Sequence, residues 1–185
     1  MNLNNLRDKA YQCAIAHGWH DQEYSDQHFL CLVISELMEA VEADRNGKRA
    51  NRIEFERDYE DEEPHDNANF KYNFECCIKN SVEDELADAC IRLLDLAGLR
   101  NCELLYMDSI YIDNKMSFTE FSYSLCSFLT NQDKSQNGWL GLHIICSLGR
   151  IFSWCKHKKI DIFWHIEQKM KYNELRPYKH ADKSY

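Results

Sequence analysis

Two pairs of acidic residues, each spaced i, i+3, are the residues of this chain best suited to chemistry. Glu36 and Glu39 form the first pair, and Glu85 and Asp88 form the second. On a helix, residues three apart share a face, so each pair directs two carboxylates the same way. Carboxylates that converge repel one another unless a cation lies between them. Their hard oxygen atoms suit Mg²⁺, with Mn²⁺ as a substitute, better than zinc.

Both pairs lie in segments whose apolar residues recur with helical periodicity. The first segment has Ser25 as a candidate N-cap, runs to about Arg45 and stops at Asn46-Gly47. The second begins near Phe70 and reads as one long helix, with Gly98 where a C-cap glycine belongs. We expect these two helices to pack so that their carboxylate pairs face each other.

The rest of the chain also reads as helical, apart from one acidic segment. Helices are expected over 4–17, from the capping box Ser117 to Glu120 as far as about residue 129, over 139–157, and from Asp161 to before Pro177. Residues 47–69 form an irregular acidic insertion, in which 54–63 is a solvated loop. The predicted fold is an all-α helical bundle, with a single domain spanning residues 1–185.

Composition narrows the functional class. Only six glycines and two prolines occur in 185 residues, which suits long helices. A net charge of −9 argues against nucleic acid as a partner. The nine cysteines are odd in number and favour free thiols, while the N-terminus has no signal-peptide core and no run is long enough to span a membrane. We therefore expect a cytoplasmic protein without membrane contact.

Three segments together resemble one known family. They are Glu36-Leu37-Met38-Glu39, then Glu85-Leu86-Ala87-Asp88 with the continuation 91–96, which reads IRLLDL, and the C-terminal segment 169–177, which reads KMKYNELRP. In this order they are similar to the all-α nucleoside triphosphate pyrophosphohydrolases, the superfamily of MazG-like proteins and dimeric dUTPases. The chain departs from that pattern in its long 47–69 segment, in 101–154, and in a tail that lacks the usual glycine.

The resemblance implies a reaction and a set of residues. The reaction is Mg²⁺-dependent hydrolysis of a nucleoside triphosphate to a monophosphate and pyrophosphate, which serves nucleotide-pool house-cleaning. It implies Glu36, Glu39, Glu85 and Asp88 as metal ligands, with Glu39 or Glu36 also activating water. It also implies a homodimer or homotetramer. The remaining expected site residues are Glu42 as a further candidate base, Lys171, Asn173, Arg176, Lys179 and Lys183 for phosphate, and Trp19 and His28 for the base.

Other interpretations stay open at this point. Acidic pairs on helices are often solvated faces, and a non-catalytic scaffold for nucleotide sensing or protein interaction is the alternative function, although the intact set of four carboxylates favours the enzyme. A di-iron bundle needs Glu-x-x-His on two helices, and only Glu62 to His65 has that spacing. His20-Asp21 and His65-Asp66 resemble the dyad of another phosphohydrolase class but lack partner histidines. The base, the sugar, and a nucleotide-sugar or alarmone as substrate are left undecided.

Overall fold

The structure, a computed structural model, is all-α as predicted. It describes residues 2–61, 66–105, 110–113, 115–131 and 139–181, and none of these residues forms a strand. The helices are α1 Leu3–Ala16, α2 Asp26–Arg45, α3 Arg52–Asp61, α4 Asn67–Cys77, α5 Val82–Leu99, α6 Phe118–Thr130, α7 Trp139–Lys158 and α8 Ile162–Glu174, followed by a short 3₁₀ helix at Tyr178–Ala181.

Helix α5 is the centre of the bundle, and α1, α2, α7 and α8 all pack against it. Its apolar side chains, such as Leu86, Leu93 and Leu94, are fully buried. The amide of Asp84 donates to the side chain of Ser81 at 3.2 Å, so Ser81 caps the first turn of α5. Helix α2 lies against α5 and begins at the predicted cap Ser25. The two helices with acidic pairs are therefore neighbours in space.

The prediction of one long helix from Phe70 was wrong, because α4 and α5 are separate. Asn80 adopts a left-handed conformation with φ of 57°, which a helix interior does not permit. Its amide donates to the Asp84 carboxylate at 2.8 Å and stabilises the break. Gly98 is also not a C-cap, because it lies inside α5 and Arg100 caps that helix. A Cβ at Gly98 would stand 2.5 Å from Cβ of Tyr11, so the glycine lets α1 approach α5.

The acidic segment is more regular than the sequence indicated. Residues Arg52–Asp61 form α3, so the expected loop over 54–63 is wrong for these residues. The ring of Phe55 is 3% exposed and packs edge-on against Phe70 and Trp164. One aromatic side chain thus anchors an otherwise charged helix on a small second core. Residues 62–65, which include His65, lie outside the described part of the chain.

The later helices agree with the sequence. Ser117 and Glu120 form the predicted capping box, and the Asp161 carboxylate accepts a hydrogen bond from the Trp164 amide. All nine cysteines are free thiols: Cys90 and Cys155 are buried, whereas Cys31 is exposed on α2. Among the described residues, no helix is both long and apolar enough to cross a bilayer.

Candidate metal centre and its cavity

A cavity of about 270 Å³ lies where α1, α2, α5 and α8 meet. Helix α5 contributes Asp88, Ile91, Arg92 and Asp95, which follow one face at i, i+3, i+4 and i+7. All four carboxylates predicted as metal ligands line its wall. The other lining residues are Ala10, Cys13, Ala14, His17, Trp19, Glu36, Glu39, Lys79, Asn80, Glu85, Lys169, Met170, Tyr172, Asn173 and Arg176.

Three of the four predicted carboxylates converge. One oxygen each of Glu36, Glu39 and Glu85 lies within 4.8 Å of the other two. Glu36 and Glu85 are buried at 7% and 4% exposure, while Glu39 is exposed. The convergence follows from the i, i+3 spacing on α2 and from the packing of α2 on α5.

The carboxylates of this cluster are electrostatically unfavourable without a cation. Burial and the neighbouring Asp88 raise the pKa of Glu36 to about 7, although Arg92 opposes the shift. Burial, Asp84 and Asp88 raise the pKa of Glu85 to about 8. Both shifts arise because negative charge is held out of water beside negative charge. A divalent cation bound by these oxygens would remove that penalty, so the donor set fits Mg²⁺ or Mn²⁺.

Asp88, the fourth predicted ligand, is held by a lysine. The ammonium of Lys169 on α8 lies 2.7 Å from Asp88 and 2.8 Å from Asp84. Burial alone would lower the pKa of Lys169, but the carboxylates of Asp88 and Asp84 raise it above its ordinary value. Sequence reasoning missed Lys169 and Asp84, although Asp84 lies one turn before Asp88 and shares its face.

Arg92 was also missed. Its Nε donates to Oε1 of Glu36 at 3.0 Å, across the interface between α5 and α2. The signal was present in the sequence, because Arg92 lies one turn beyond Asp88 on the same face of the helix. Lys79, in the connection between α4 and α5, lines the cavity as well. Its position follows from the helix break that the sequence did not indicate.

The predicted phosphate and base residues divide into two groups. Asn173, Arg176 and Trp19 line the cavity. Lys171 lies 3.9 Å from the ring centroid of Phe70, away from the cavity wall. The residues that the structure places elsewhere are Lys179, which pairs with Asp21 at 3.5 Å, and His28, which stacks on Tyr24 at 4.1 Å. Lys183 lies outside the described residues.

Glu42, the further candidate base, does not reach the cavity. Its carboxylate accepts hydrogen bonds from Arg45 at 2.8 Å and from Asn46 at 3.0 Å near the end of α2. It is absent from the cavity wall. Glu42 is therefore a matched surface control for Glu39, which lies one turn earlier on the same helix.

Two histidines form hydrogen bonds near the end of the cavity that lies away from the carboxylate cluster. His20 donates from Nε2 to Oδ1 of Asp95 at 2.7 Å, rather than pairing with the adjacent Asp21. Burial raises the pKa of Asp95, and this hydrogen bond opposes the shift. His17 places its two ring nitrogens 2.7 Å from the Cys13 carbonyl and 3.0 Å from the Arg176 carbonyl. It thereby ties α1 to the segment that follows α8.

A second acidic grouping lies between α3 and the last residue of α4. Oxygens of Glu54 and Asp58 and the sulfur of Cys77 also lie within 4.8 Å of one another. These groups are partly exposed, and Arg57 contacts Asp58 at 2.7 Å and Glu54 at 4.0 Å. Glu36 and Glu85 of the cavity cluster are buried, so their charges are held out of water and the cavity cluster is the stronger candidate for a metal centre.

The chain matches no protein-family model, no curated protein and no solved structure. Its chemistry is therefore inferred from its own geometry. The cavity combines convergent carboxylates with Lys79, Arg92, Lys169 and Arg176 in one wall. Such a combination can hold a divalent cation together with a polyanion, because the carboxylates bind the metal and the basic side chains bind the anion.

Proposed function

We propose that this protein is a Mg²⁺-dependent nucleotide pyrophosphohydrolase, which splits a nucleoside triphosphate into a monophosphate and pyrophosphate. One observation carries the proposal: oxygens of Glu36, Glu39 and Glu85 from two packed helices lie within 4.8 Å of one another in a cavity that basic side chains also line. The resemblance of the acidic motifs and the C-terminal segment to MazG-like proteins and dimeric dUTPases supports the same reaction.

The metal would be held by Glu36, Glu39 and Glu85, with Asp88 available if it leaves Lys169. When bound, Mg²⁺ or Mn²⁺ neutralises phosphate charge and polarises the phosphoryl group. Both buried glutamates must give up their protons to bind a metal, and their raised pKa values of about 7 and about 8 place this change near neutral pH.

Glu39 is the better of the two candidate bases. Glu36 is buried, and its carboxylate accepts a hydrogen bond from Arg92 at 3.0 Å, which holds it in place and favours its charged form. Glu39 is exposed, so a water molecule can reach it, and the hydroxyl of Ser35 lies 3.5 Å from its Oε1. Glu39 therefore orients the attacking water and accepts its proton.

Basic side chains on three sides of the cavity would bind the phosphates. Arg92 extends from α5, Lys79 from the α4–α5 connection and Arg176 from the segment that follows α8. An arginine fork donates to two phosphate oxygens at once, whereas lysine acts as a point charge. Asn173, which also lines the cavity, adds amide donors.

The test is pyrophosphate release from a panel of ribonucleoside and deoxyribonucleoside triphosphates with Mg²⁺, Mn²⁺ or EDTA. We expect metal-dependent release in the wild type, at least about a hundredfold less in Glu39→Gln, and unchanged release in Glu42→Gln. No release from any nucleotide, together with no metal-dependent thermal shift, would contradict the proposal and leave a non-catalytic helical scaffold.

A further inference from the structure

The end of the cavity away from the carboxylate cluster has an apolar part in its wall. Helix α1 presents Ala10 and Ala14 there, one turn apart, and both are small and buried. Ile91 from α5 and the indole of Trp19 complete this part of the wall. Together these side chains give this part of the wall an apolar surface, against which an aromatic base can pack.

A buried carboxylate lies in the wall at this end. Asp95 is 8% exposed, and His20 donates to its Oδ1 at 2.7 Å. The imidazole of His20 is itself packed between Tyr11, at 5.3 Å, and Phe29, at 5.7 Å between ring centroids. No described residue donates a hydrogen bond to Oδ2 of Asp95. The Asp95 side chain keeps 11% of its surface accessible and lines the cavity, so Oδ2 can accept a hydrogen bond from a ligand.

The spacing along α5 gives the distance between Asp95 and the predicted metal ligand Asp88. Asp95 lies two turns beyond Asp88 on the same face, and Ile91 and Arg92 line the cavity between them. Seven residues of α-helix span about 10 Å. That length is close to the separation of the α-phosphate from the far edge of the base in an extended nucleotide. A nucleotide whose α-phosphate lies beside Asp88 thus brings its base edge to Asp95.

We propose that Asp95 is a specificity-determining residue for guanine, so that guanine nucleotides are the preferred ligands of this cavity. The inference rests on the proposed function for the position of the phosphates. Guanine is the standard base with two adjacent donors, N1–H and the N2 amino group. These match the open Oδ2 and the second lone pair of Oδ1, in the geometry that a carboxylate accepts best.

The other standard bases place an acceptor against the carboxylate. Adenine and cytosine each offer one amino group next to a ring nitrogen that accepts, and uracil offers one N–H between two carbonyl oxygens. Each therefore sets a lone pair against a buried negative charge, which disfavours binding. Hypoxanthine keeps N1–H but lacks the amino group, so it is expected to bind between guanine and the rest.

The experiment is calorimetric binding of the α,β-methylene analogues of the guanosine, inosine, adenosine, cytidine and uridine triphosphates, with Mg²⁺ present. These analogues resist the proposed cleavage, so binding is measured without turnover. We expect the guanosine analogue to bind about tenfold or more tightly than the adenosine, cytidine and uridine analogues. Equal affinities, a different preferred base, or no binding of any analogue overturns the inference.

An Asp95→Asn variant is expected to bind the xanthosine analogue more tightly than the wild type does. Misfolding cannot produce such a gain in affinity. The new amide donates where Oδ2 accepted, so it repels the guanine amino group and pairs with the C2 carbonyl of xanthine. We expect weaker binding of the guanosine analogue and tighter binding of the xanthosine analogue. An unchanged order of the two analogues contradicts the role of Asp95. If the variant does not fold, the wild-type panel alone decides.

The experiments distinguish an incorrect assignment of the base site from an incorrect proposal of hydrolase activity. Guanine-selective binding without pyrophosphate release from any triphosphate would retain the base site and reject the hydrolase. Pyrophosphate release that favours another base would retain the hydrolase and reject the role of Asp95. His20 acts through Asp95 as a positioning residue, so His20→Phe is expected to reduce the preference for guanosine over inosine while metal binding is unchanged.

Discussion

Glu36 and Glu85 are buried acids whose charges are opposed by their surroundings. Both have an ordinary pKa of 4.5, and burial with neighbouring carboxylates raises these values to about 7 and about 8 in the folded protein. The folded state therefore binds more protons than the unfolded state between pH 4.5 and about 8. Stability contributed by these groups is present at low pH and decreases as pH rises through that window.

The first prediction concerns this pH dependence. In EDTA, the midpoint of thermal unfolding should fall by several degrees as pH rises from 5.5 to 8.5, because both glutamates then become charged without a cation. Glu85→Gln, which resembles the protonated form, should flatten this fall and raise the midpoint at pH 8.5. The measurement is differential scanning calorimetry across the pH series, with Glu42→Gln as the exposed control on α2. A wild-type midpoint that rises over this range, or a slope that Glu85→Gln leaves unchanged, contradicts the assignment.

For individual residues, the sequence predicted the carboxylates of the site but not its basic side chains. The spacing of Glu36, Glu39 and Glu85 on helices was sufficient to predict their convergence, which depends only on which helix faces meet. Lys169 and Arg92 were missed because their roles depend on partners 85 and 56 residues away in the chain. The spacing along α5 places Arg92 on the same face as Asp88, but no local pattern identifies the partner of Arg92 or Lys169 before the packing of the helices is known.

Among the helices, α8 is tied to α5 through a buried charge. The Lys169 side chain is 5% exposed and bridges Asp84 and Asp88. Removing one member of a buried ion pair leaves an uncompensated charge, which costs about 3–5 kcal/mol. This contact also fixes the rotation of α8, whose Asn173 lies one turn beyond Lys169 and lines the same cavity.

The second prediction tests this link. Lys169→Met should lower the free energy of unfolding by about 3–5 kcal/mol, because Asp84 remains buried without a cation. Asp84→Asn combined with Lys169→Met should recover part of the loss, since the charge and its partner are then removed together. Urea denaturation of the wild type, Asp84→Asn, Lys169→Met and the double variant gives the coupling energy. Single-variant losses that simply add would show that the pair does not stabilise the fold.

The third prediction concerns the contact of α1 with α5. Gly98→Ala should destabilise the protein by about 1–3 kcal/mol, despite the higher helix propensity of alanine, because the new Cβ would stand 2.5 Å from Cβ of Tyr11. Gly141→Ala in α7 is the matched control, since its new Cβ would meet Cys102 at an ordinary 3.5 Å. That variant should be neutral or stabilising by up to about 1 kcal/mol. Urea denaturation compares the two, and equal effects would contradict this account of Gly98.

The helices could largely be predicted from caps and periodicity, and the exceptions have physical causes. Ser25, Ser117 and Asp161 were each identified as helix starts, because a side-chain oxygen there accepts an amide at short range. The break at Asn80 was missed because apolar residues continue across it with helical spacing. Helix α3 was missed because most of its residues are charged, and its contacts depend on distant segments: Phe55 packs against Phe70 and Trp164, and Arg52 contacts Asp161.

The whole molecule is strongly acidic, with a net charge of −9. In the proposed function its cavity nevertheless binds a polyanion, which the net charge repels. Any salt screens the general repulsion between this net charge and an anion. Neutralising the carboxylate cluster instead requires a cation that is bound at the cluster itself. The homodimer or homotetramer implied by the family resemblance stays a prediction. Sedimentation can measure it against the chain mass of 22.0 kDa.

The last prediction separates general screening from specific binding. At pH 8, millimolar MgCl₂ should raise the midpoint of thermal unfolding more than NaCl at equal ionic strength, because a ligand that binds only the folded state stabilises it by RT ln(1 + [L]/Kd). The excess should grow with the logarithm of Mg²⁺ concentration, vanish in Glu85→Gln and persist in Glu42→Gln. NaCl alone should give a smaller rise in all three proteins, since it screens the net charge of −9 without occupying the cluster. Equal effects of the two salts in the wild type would mean that the acidic cavity responds only to ionic strength and that the carboxylates do not form a metal centre.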